Sequence, residues 1–310
     1  MCAEPIVTGE RENPMRNNLR RGQKARSFSS GLFCLERVNP DVKLIELGSE
    51  HELLDKLRSE APDTWNHSIN VADLAETAAR AIGANALFCR TAALFHDIGK
   101  TGEPDVFAEN RRGSSPYDAW SLQESAARII RHVTHGLELA RKHGLPGPMR
   151  AINAEHHGTS LVRFFYARAV EGVEDAAEGE RLRGLFRYPG PPPASRESGI
   201  IALADTVEAA ERSAEYPDEA RTRDLVAALV GDRIKEGELR ACPLTLAELA
   251  IVQENFVATL ASRHHKRPVY PKSGAAQSQA GGTSVPRVPG SGAAVEVRAG
   301  RKPRPKARRR

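Results

Sequence analysis

Aromatic residues are scarce: two Trp, five Tyr and nine Phe, 5% of 310 residues. Ala, Leu and Ile dominate instead, which favours helices over strands. Cysteine is sparse as well. Cys2, Cys34, Cys89 and Cys242 are widely spaced and form no Cys-x-x-Cys pair. A chain this long has no need of disulfide staples, so free thiols in a reducing cytoplasm fit best. No apolar run approaches the ~20 residues of a membrane span. The N-terminus has no apolar signal core, and Glu4, Glu10 and Glu12 count against a presequence despite its Arg and Ser content. The overall composition, 40% apolar and 27% charged, is that of a soluble globular protein with one large domain or two small ones.

The net charge of +5 is unevenly placed. Residues 272–310 hold ten Lys or Arg against the single acid Glu296, a net +9, which leaves −4 for residues 1–271. The basic character therefore belongs to the end of the chain. Three segments follow: a weakly structured lead over 1–45, a folded domain over 46–271, and a disordered basic tail over 272–310. Ser, Gly, Ala and Pro mark 273–300 as a linker.

Regular structure is expected to begin near Ser49, read as a helix cap, and to break at Pro62. Ile69, Ala72, Ala75, Ala79 and Ile82 form a helical stripe from Trp65, which Gly83 ends. A second, nearly all-apolar helix runs over 85–97. Residues 99–120 read as a loop. Ser121-Leu122-Gln123-Glu124 fits a capping box, and its helix runs to about His143. Pro148 suits the first turn of a short helix that stops at His156-His157-Gly158. Residues 171–184 read as charged and exposed, and Phe186 to Pro193 as irregular. Further helices are expected over 197–213, 218–236 and 245–264. The predicted class is all-α.

Into this pattern fall His67, His96-Asp97, His132, His156-His157 and Asp205. Singly each has a plain reading. His96-Asp97 could cap a helix or form a surface pair, and His132 shares its helix with His135 and His143. Adjacent helical residues such as His156 and His157 diverge by about 100° unless the helix ends there. Asp205, set among Ile200, Ile201, Leu203 and Ala204, needs a metal or an ion-pair partner to be buried. Together they supply ligands for two ions: His67, His96, Asp97 and Asp205 for one; Asp97, His132, His156 and His157 for the other. Asp97 is the bridge. So histidine-rich a set favours Fe or Mn, with Zn or Co as alternatives, over Mg or Ca. Two ions about 4 Å apart can make hydroxide from a bridging water near neutral pH and hold phosphoryl oxygens during in-line attack. Lys100 either interacts with the negative end of its helix or faces a phosphate.

The seven positions resemble the HD-domain phosphohydrolases, and the surrounding stretches narrow the resemblance. Ala61-Pro62-Asp63-Thr64-Trp65-Asn66-His67-Ser68, Ile82-Gly83-Ala84-Asn85, His96-Asp97-Ile98-Gly99-Lys100 and Glu109-Asn110 are similar to the cytoplasmic HD domain of the seven-transmembrane HD (PgpH-like) cyclic di-AMP phosphodiesterases. So are His156-His157-Gly158-Thr159, Phe165-Tyr166, Phe186-Arg187-Tyr188-Pro189-Gly190-Pro191, Leu203-Ala204-Asp205 and His265 to Pro271. The resemblance covers about 46–271. It implies a helical bundle, a di-iron or di-manganese centre, and cleavage of cyclic di-AMP to pApA. Asp97 and Lys100 are then catalytic, and Lys100, Arg187 and Tyr166 contact substrate. The branch's seven membrane helices and extracellular domain find no match in these residues, so receptor-like control by that route is not expected from them. Ser115-Pro116-Tyr117-Asp118 stands where members have Asn-Pro-His-Asp. Pro192 and Ala194 stand where Lys and Gln are common.

Two other functions remain open on these residues. One is a phosphohydrolase for another nucleotide: a (deoxy)nucleoside mono- or triphosphate or a guanosine polyphosphate. The other is a non-catalytic metal-containing sensing or nucleic-acid-binding module. Its support is the basic tail, which offers contact to nucleic acid or anionic membrane, or serves only as a solubilising end.

Overall fold

The computed structural model describes residues 40–213 and 218–264. The expectations for 1–39, for the His265 to Pro271 stretch and for the basic tail lie outside the described residues. Eleven α-helices occur among those described, with no strand; the one β-bridge joins Leu161 and Arg187. The all-α expectation holds.

Regular structure starts earlier than expected, with α1 (Pro40–Ser49). Pro40 in the first turn followed by Asp41 is a start signal in its own right. Ser49 closes α1 rather than opening α2, its hydroxyl donating to the Glu46 carbonyl at 3.2 Å. The cap of α2 (Glu52–Glu60) is His51, whose side chain accepts from Leu53 N.

Helix α3 (Pro62–Ala81) lies centrally and packs on α4 (Ala86–Phe95), α9 (Arg196–Arg212) and α11 (Leu246–His264). Its buried Val71, Leu74, Ala75 and Ala78 join Phe95, Ile200, Ile201 and Phe256 in the main core. Burying each large aliphatic side chain contributes about 1.5–3 kcal/mol. Ile200, Ile201, Leu203 and Val207 therefore hold α9 inward strongly enough to carry Asp205 with it.

Residues 99–120 contain three 3₁₀ turns that bury Ile98, Thr101, Val106 and Phe107. Helix α5 (Leu122–Lys142) then starts at Ser121, whose hydroxyl oxygen accepts from Glu124 N at 3.1 Å. Short α6 (Gly147–Glu155) follows it. Helix α7 (Arg163–Ala169) and α8 (Ala176–Leu185) form a smaller cluster around Ala126, Phe165, Leu182 and Phe186. The segment read only as charged and exposed thus contains a helix. It buries Leu182 alone, so it has no apolar stripe to reveal it. Helix α10 (Glu219–Lys235) completes the bundle.

Candidate metal centre

His67 faces inward from the second turn of α3. Helix α4 stops at His96, and Asp97 leaves the helix at φ −111°, ψ 16°. The turn brings two adjacent residues onto the same point, which a continuing helix would not do. The end of α6 repeats the device. His156 is the last residue of helical conformation, and Gly158 at φ +57° reverses the chain just beyond His157. A Cβ on Gly158 would meet Glu238 Oε2 at 2.0 Å, so both the conformation and the space call for glycine. His132 comes from α5 and Asp205 from α9. His67, His96, Asp97, His132, His156 and Asp205 are all buried, and His157 is half-buried.

The seven side chains expected to act together are brought to one place. Asp97 divides them. Its Oδ2 lies 3.2 Å from His96 Nε2 and 3.6 Å from His67 Nε2. Its Oδ1 lies 3.3 Å from His132 Nε2 and 3.7 Å from His156 Nε2. Asp205 Oδ1 sits 3.1 Å from His67 Nε2 and 3.8 Å from His96 Nε2, while its Oδ2 is 3.5 Å from His157 Nδ1. Two groups result, His67–His96–Asp97 and Asp97–His132–His156–His157, each with ligand atoms within 4.8 Å of one another.

The tautomers prepare these atoms. His96 Nδ1 donates to Ala93 O at 2.7 Å, His132 Nδ1 to Ile129 O at 2.7 Å, and His156 Nδ1 to Asn153 O at 3.0 Å. Each Nε2 then points to the centre, the arrangement metal-ligating histidines use. His96 Nε2 and Asp97 Oδ1 are buried with no hydrogen-bond partner in the protein. His132 Nε2 and His156 Nε2 face each other at 3.2 Å. Orphaned buried polar atoms are costly, and a metal cation, binding once the imidazoles are neutral, satisfies several at once. The donor set fits divalent metal.

Electrostatics differ across the centre. Burial lowers the His96 pKa, but Asp97 and Asp205 override it and push the value up to about 10. Burial pushes His132 down to about 3, and, with His156 beside it, holds His157 well below the usual range. Burial would raise Asp97, yet His96 and Lys100 hold it far below an ordinary carboxylate. In metal-free protein at neutral pH, His96 is therefore charged while His132 and His157 are neutral. A cation entering beside His96 must displace a proton, since only the neutral imidazole is a ligand. Binding should release about one proton, and affinity should rise by up to about tenfold per pH unit until pH passes the His96 value. Calorimetric titration with Mn²⁺ in buffers of different ionisation heat measures this release. A binding heat independent of the buffer would contradict the charge assignment.

Lys100 lines the cleft above the centre. Its Nζ donates to Asp97 Oδ2 and to Glu109 Oε1, both at 2.8 Å, and lies over the Phe107 ring at 4.8 Å. Burial would lower its pKa, but the two carboxylates raise it further, so it is a fixed cation rather than a proton carrier. Glu109 is held at about 2: burial works against ionisation and Lys100 overrides it. Glu109 also accepts from Thr64 Oγ1 at 3.2 Å, and Asn110 Nδ2 donates to Thr64 Oγ1 at 2.7 Å. The start of α3 is thereby tied to the loop carrying the Lys100 partner.

Arg187 and Tyr166 brace the loop beside the cleft. Arg187 Nη1 donates to Thr159 O at 2.6 Å, and the Tyr166 ring packs 6.1 Å from Phe186. The cleft, about 630 Å³, has Arg212 and Arg233 in its wall besides Lys100. Tyr188 stacks on His157 with ring centroids 4.3 Å apart. Glu208, Arg212 and Arg233 have no sequence signal, lying among ordinary charged residues of amphipathic helices.

The HD-domain family model matches residues 64–210. The chain is 41% identical over 248 residues to the cyclic-di-AMP phosphodiesterase PgpH of Bacillus subtilis, covering 79% of this chain and 34% of that protein. It is 38% identical over 231 residues to PgpH of Listeria monocytogenes, covering 74% and 32%. The chain thus spans about a third of the length of these curated relatives. The crystal structure of the L. monocytogenes PgpH HD domain in complex with cyclic-di-AMP superposes with a TM-score of 0.66 at 37% identity, covering 71% of this chain and all of that one. Among the described residues no helix is long and apolar enough to cross a membrane. On the convergence of its seven side chains and on a match that covers the whole of a solved domain, the chain belongs to the HD-domain family.

Proposed function

We propose that this chain is a metal-dependent phosphodiesterase that opens a cyclic dinucleotide, cyclic di-AMP in the first place, to linear pApA. The observation that carries the reading is the partition of Asp97, whose two oxygens serve two separate groups of histidines at the floor of a cationic cleft. The likeness to PgpH and to its cyclic-di-AMP complex supports the substrate.

His67, His96, Asp97 and Asp205 would hold one divalent ion, and Asp97, His132, His156 and His157 the other. Fe or Mn suits so many imidazoles better than Mg or Ca, with Zn or Co as alternatives. Bound there, such ions supply a hydroxide nucleophile at neutral pH and polarise the phosphoryl group. The chain's own residues do the rest. Lys100, held by Asp97 and Glu109, keeps a positive charge beside the reacting phosphate. Arg233, whose guanidinium donates to Thr206 Oγ1 at 2.8 Å, and Arg212 offer donors to the second phosphate. A volume of about 630 Å³ lies within the range of small-molecule sites.

The catalytic domain is taken as 46–271. Residues 272–310 offer their charge to nucleic acid or anionic membrane and are dispensable for hydrolysis. The test is product analysis of Mn²⁺- or Fe²⁺-loaded protein, with and without those residues. The substrates are cyclic di-AMP, cyclic di-GMP, a deoxynucleoside triphosphate, a nucleoside monophosphate and a guanosine polyphosphate. Accumulation of pApA from cyclic di-AMP in both forms is expected. Turnover of a mononucleotide without turnover of cyclic di-AMP would move the chain to another substrate. Metal-loaded protein inert towards all five would make it a sensing module.

A further inference from the structure

Three of the buried histidines fix their tautomer on a neutral backbone carbonyl. His67 does not. Its Nδ1 donates to the carboxylate of Glu208, while its Nε2 faces Asp205 Oδ1 at 3.1 Å. The register explains the pairing. Asp205 and Glu208 are one turn apart on α9, so they share a face, and the His67 imidazole is clasped between them. Glu208 is only 2% exposed. Its other oxygen accepts from Asn70 Nδ2 at 3.2 Å, and Asn70 is itself one turn beyond His67 on α3. Two helix faces therefore lock together through one imidazole. Arg212, the cation nearest Glu208, stands 3.6 Å from its Oε2 with the arginine side chain 40% exposed.

A carboxylate on the far nitrogen does two things a carbonyl does less well. It holds the ring against rotation, and its charge makes the ligating nitrogen more basic. The two halves of the centre are consequently unequal. The half containing His67 and His96 is flanked by Asp205 and Glu208 in addition to the shared Asp97. The half containing His132, His156 and His157 has only Asp97 and the edge of Asp205. With its imidazoles neutral, as ligation requires, the first half has the greater number of carboxylates, and the Lys100 ammonium at Asp97 Oδ2 and the part-exposed Arg212 guanidinium beside Glu208 offset part of their charge. Cations are drawn to it more strongly.

We infer that Glu208 is a positioning residue that makes the His67–His96–Asp205 half the tighter of two unequal metal sites, so that the ions load in order. The inference rests on the two-ion reading above. At pH 8, where proton competition is weaker, Mn²⁺ should bind in two resolved steps by equilibrium dialysis with metal analysis. Glu208→Ala should weaken the tighter step by about 10–100-fold and leave the other within about twofold. Glu208→Gln, which keeps an acceptor without the charge, should fall between Glu208→Ala and wild type. Asp205→Ala should affect the same step as Glu208→Ala, whereas His132→Ala should affect the other. Far-UV circular dichroism and thermal unfolding of each variant establish that the metal result comes from folded protein. Two ions bound by wild type, with both steps untouched by Glu208→Ala or weakened equally, would overturn the inference and leave the two-ion reading standing. Wild-type protein that takes up a single ion would instead overturn the two-ion reading and the loading order together.

Discussion

Asp97→Asn should cost both metal ions and nearly all turnover. Metal analysis of the purified variant should give well under one equivalent, against about two for wild type. Phosphodiester hydrolysis should fall by about 10³-fold or more, the loss of about 4 kcal/mol of transition-state stabilisation. The reasoning is geometric. Oδ1 and Oδ2 each face a different pair of histidines, at 3.3 and 3.7 Å on one side and 3.2 and 3.6 Å on the other. An amide leaves one neutral oxygen for one group and turns an NH₂ towards the other, where nitrogen lone pairs are then met by donors instead of a shared anion. His156→Ala, in contrast, removes a ligand from one group only. The fold should survive Asp97→Asn, because the residue contributes no apolar packing and Lys100 retains Glu109 as a partner at 2.8 Å. Near-normal helicity with lost metal is the expected pair of results. Full activity in metal-replete Asp97→Asn would refute the bridge.

The ligands were legible in the sequence because their chemistry is rare and their positions interrupt apolar helices. Five of the chain's ten histidines lie in the centre. His96-Asp97 and His156-His157 each sit where a helix stops, and Gly158 gave away the second of those ends. Glu208 was not legible. It stands in the run Val207-Glu208-Ala209-Ala210-Glu211, where Glu211 has the same chemistry and a half-exposed position. Only the rotation of α9 against α3 distinguishes them, and that rotation is set by Ile200, Ile201 and Val207 packing on the central helix. Arg187 and Tyr166 came from the resemblance rather than from any pattern of their own. Their types suit phosphate and base contacts, yet the loop between α8 and α9 uses the arginine to satisfy the Thr159 carbonyl. Residue type announces a ligand for metal more reliably than a contact for phosphate, since surface arginines are common and buried histidine clusters are not.

The cleft and the centre answer different questions. Inequality within the centre concerns which cation arrives first and how tightly; the wall of arginines concerns which anion can follow. Lys100 belongs to both, paired with Asp97 and lining the cleft. Its charge is maintained by Glu109, which is tied through Thr64 to the first turn of α3. A change in the loop over residues 103–111 would thus reach Asp97 through a single ammonium group.

Gly99→Ala should be the most damaging substitution outside the ligand set. The backbone of the turn after Asp97 runs so close to α5 that a Cβ at residue 99 would lie 1.9 Å from the His132 carbonyl oxygen and 2.5 Å from Gly136 N. These are main-chain atoms of a helix and cannot swing aside. Gly136 is small for the same contact, its own Cβ position being 3.3 Å from Gly99 N, and also 2.8 Å from Asn153 Oδ1 on α6. His135 Nδ1 donates to the Gly99 carbonyl at 2.8 Å, fastening the two segments on the next turn. Forcing them apart by an ångström or more should cost about 3–5 kcal/mol, beyond ordinary overpacking because backbone must move. For a domain of this size that lowers Tm by roughly 6–15 °C. The displaced atom belongs to His132, and the turn itself follows directly on Asp97, so the loss of stability should come with a loss of metal binding. Mn²⁺ binding should weaken in both groups, because both share Asp97, and more in the His132 group, which α5 carries. Thermal unfolding and two-step metal titration of the same sample read both effects. A Gly99→Ala protein with wild-type Tm and unchanged Mn²⁺ binding would show that the turn and α5 do not approach as closely as these distances require.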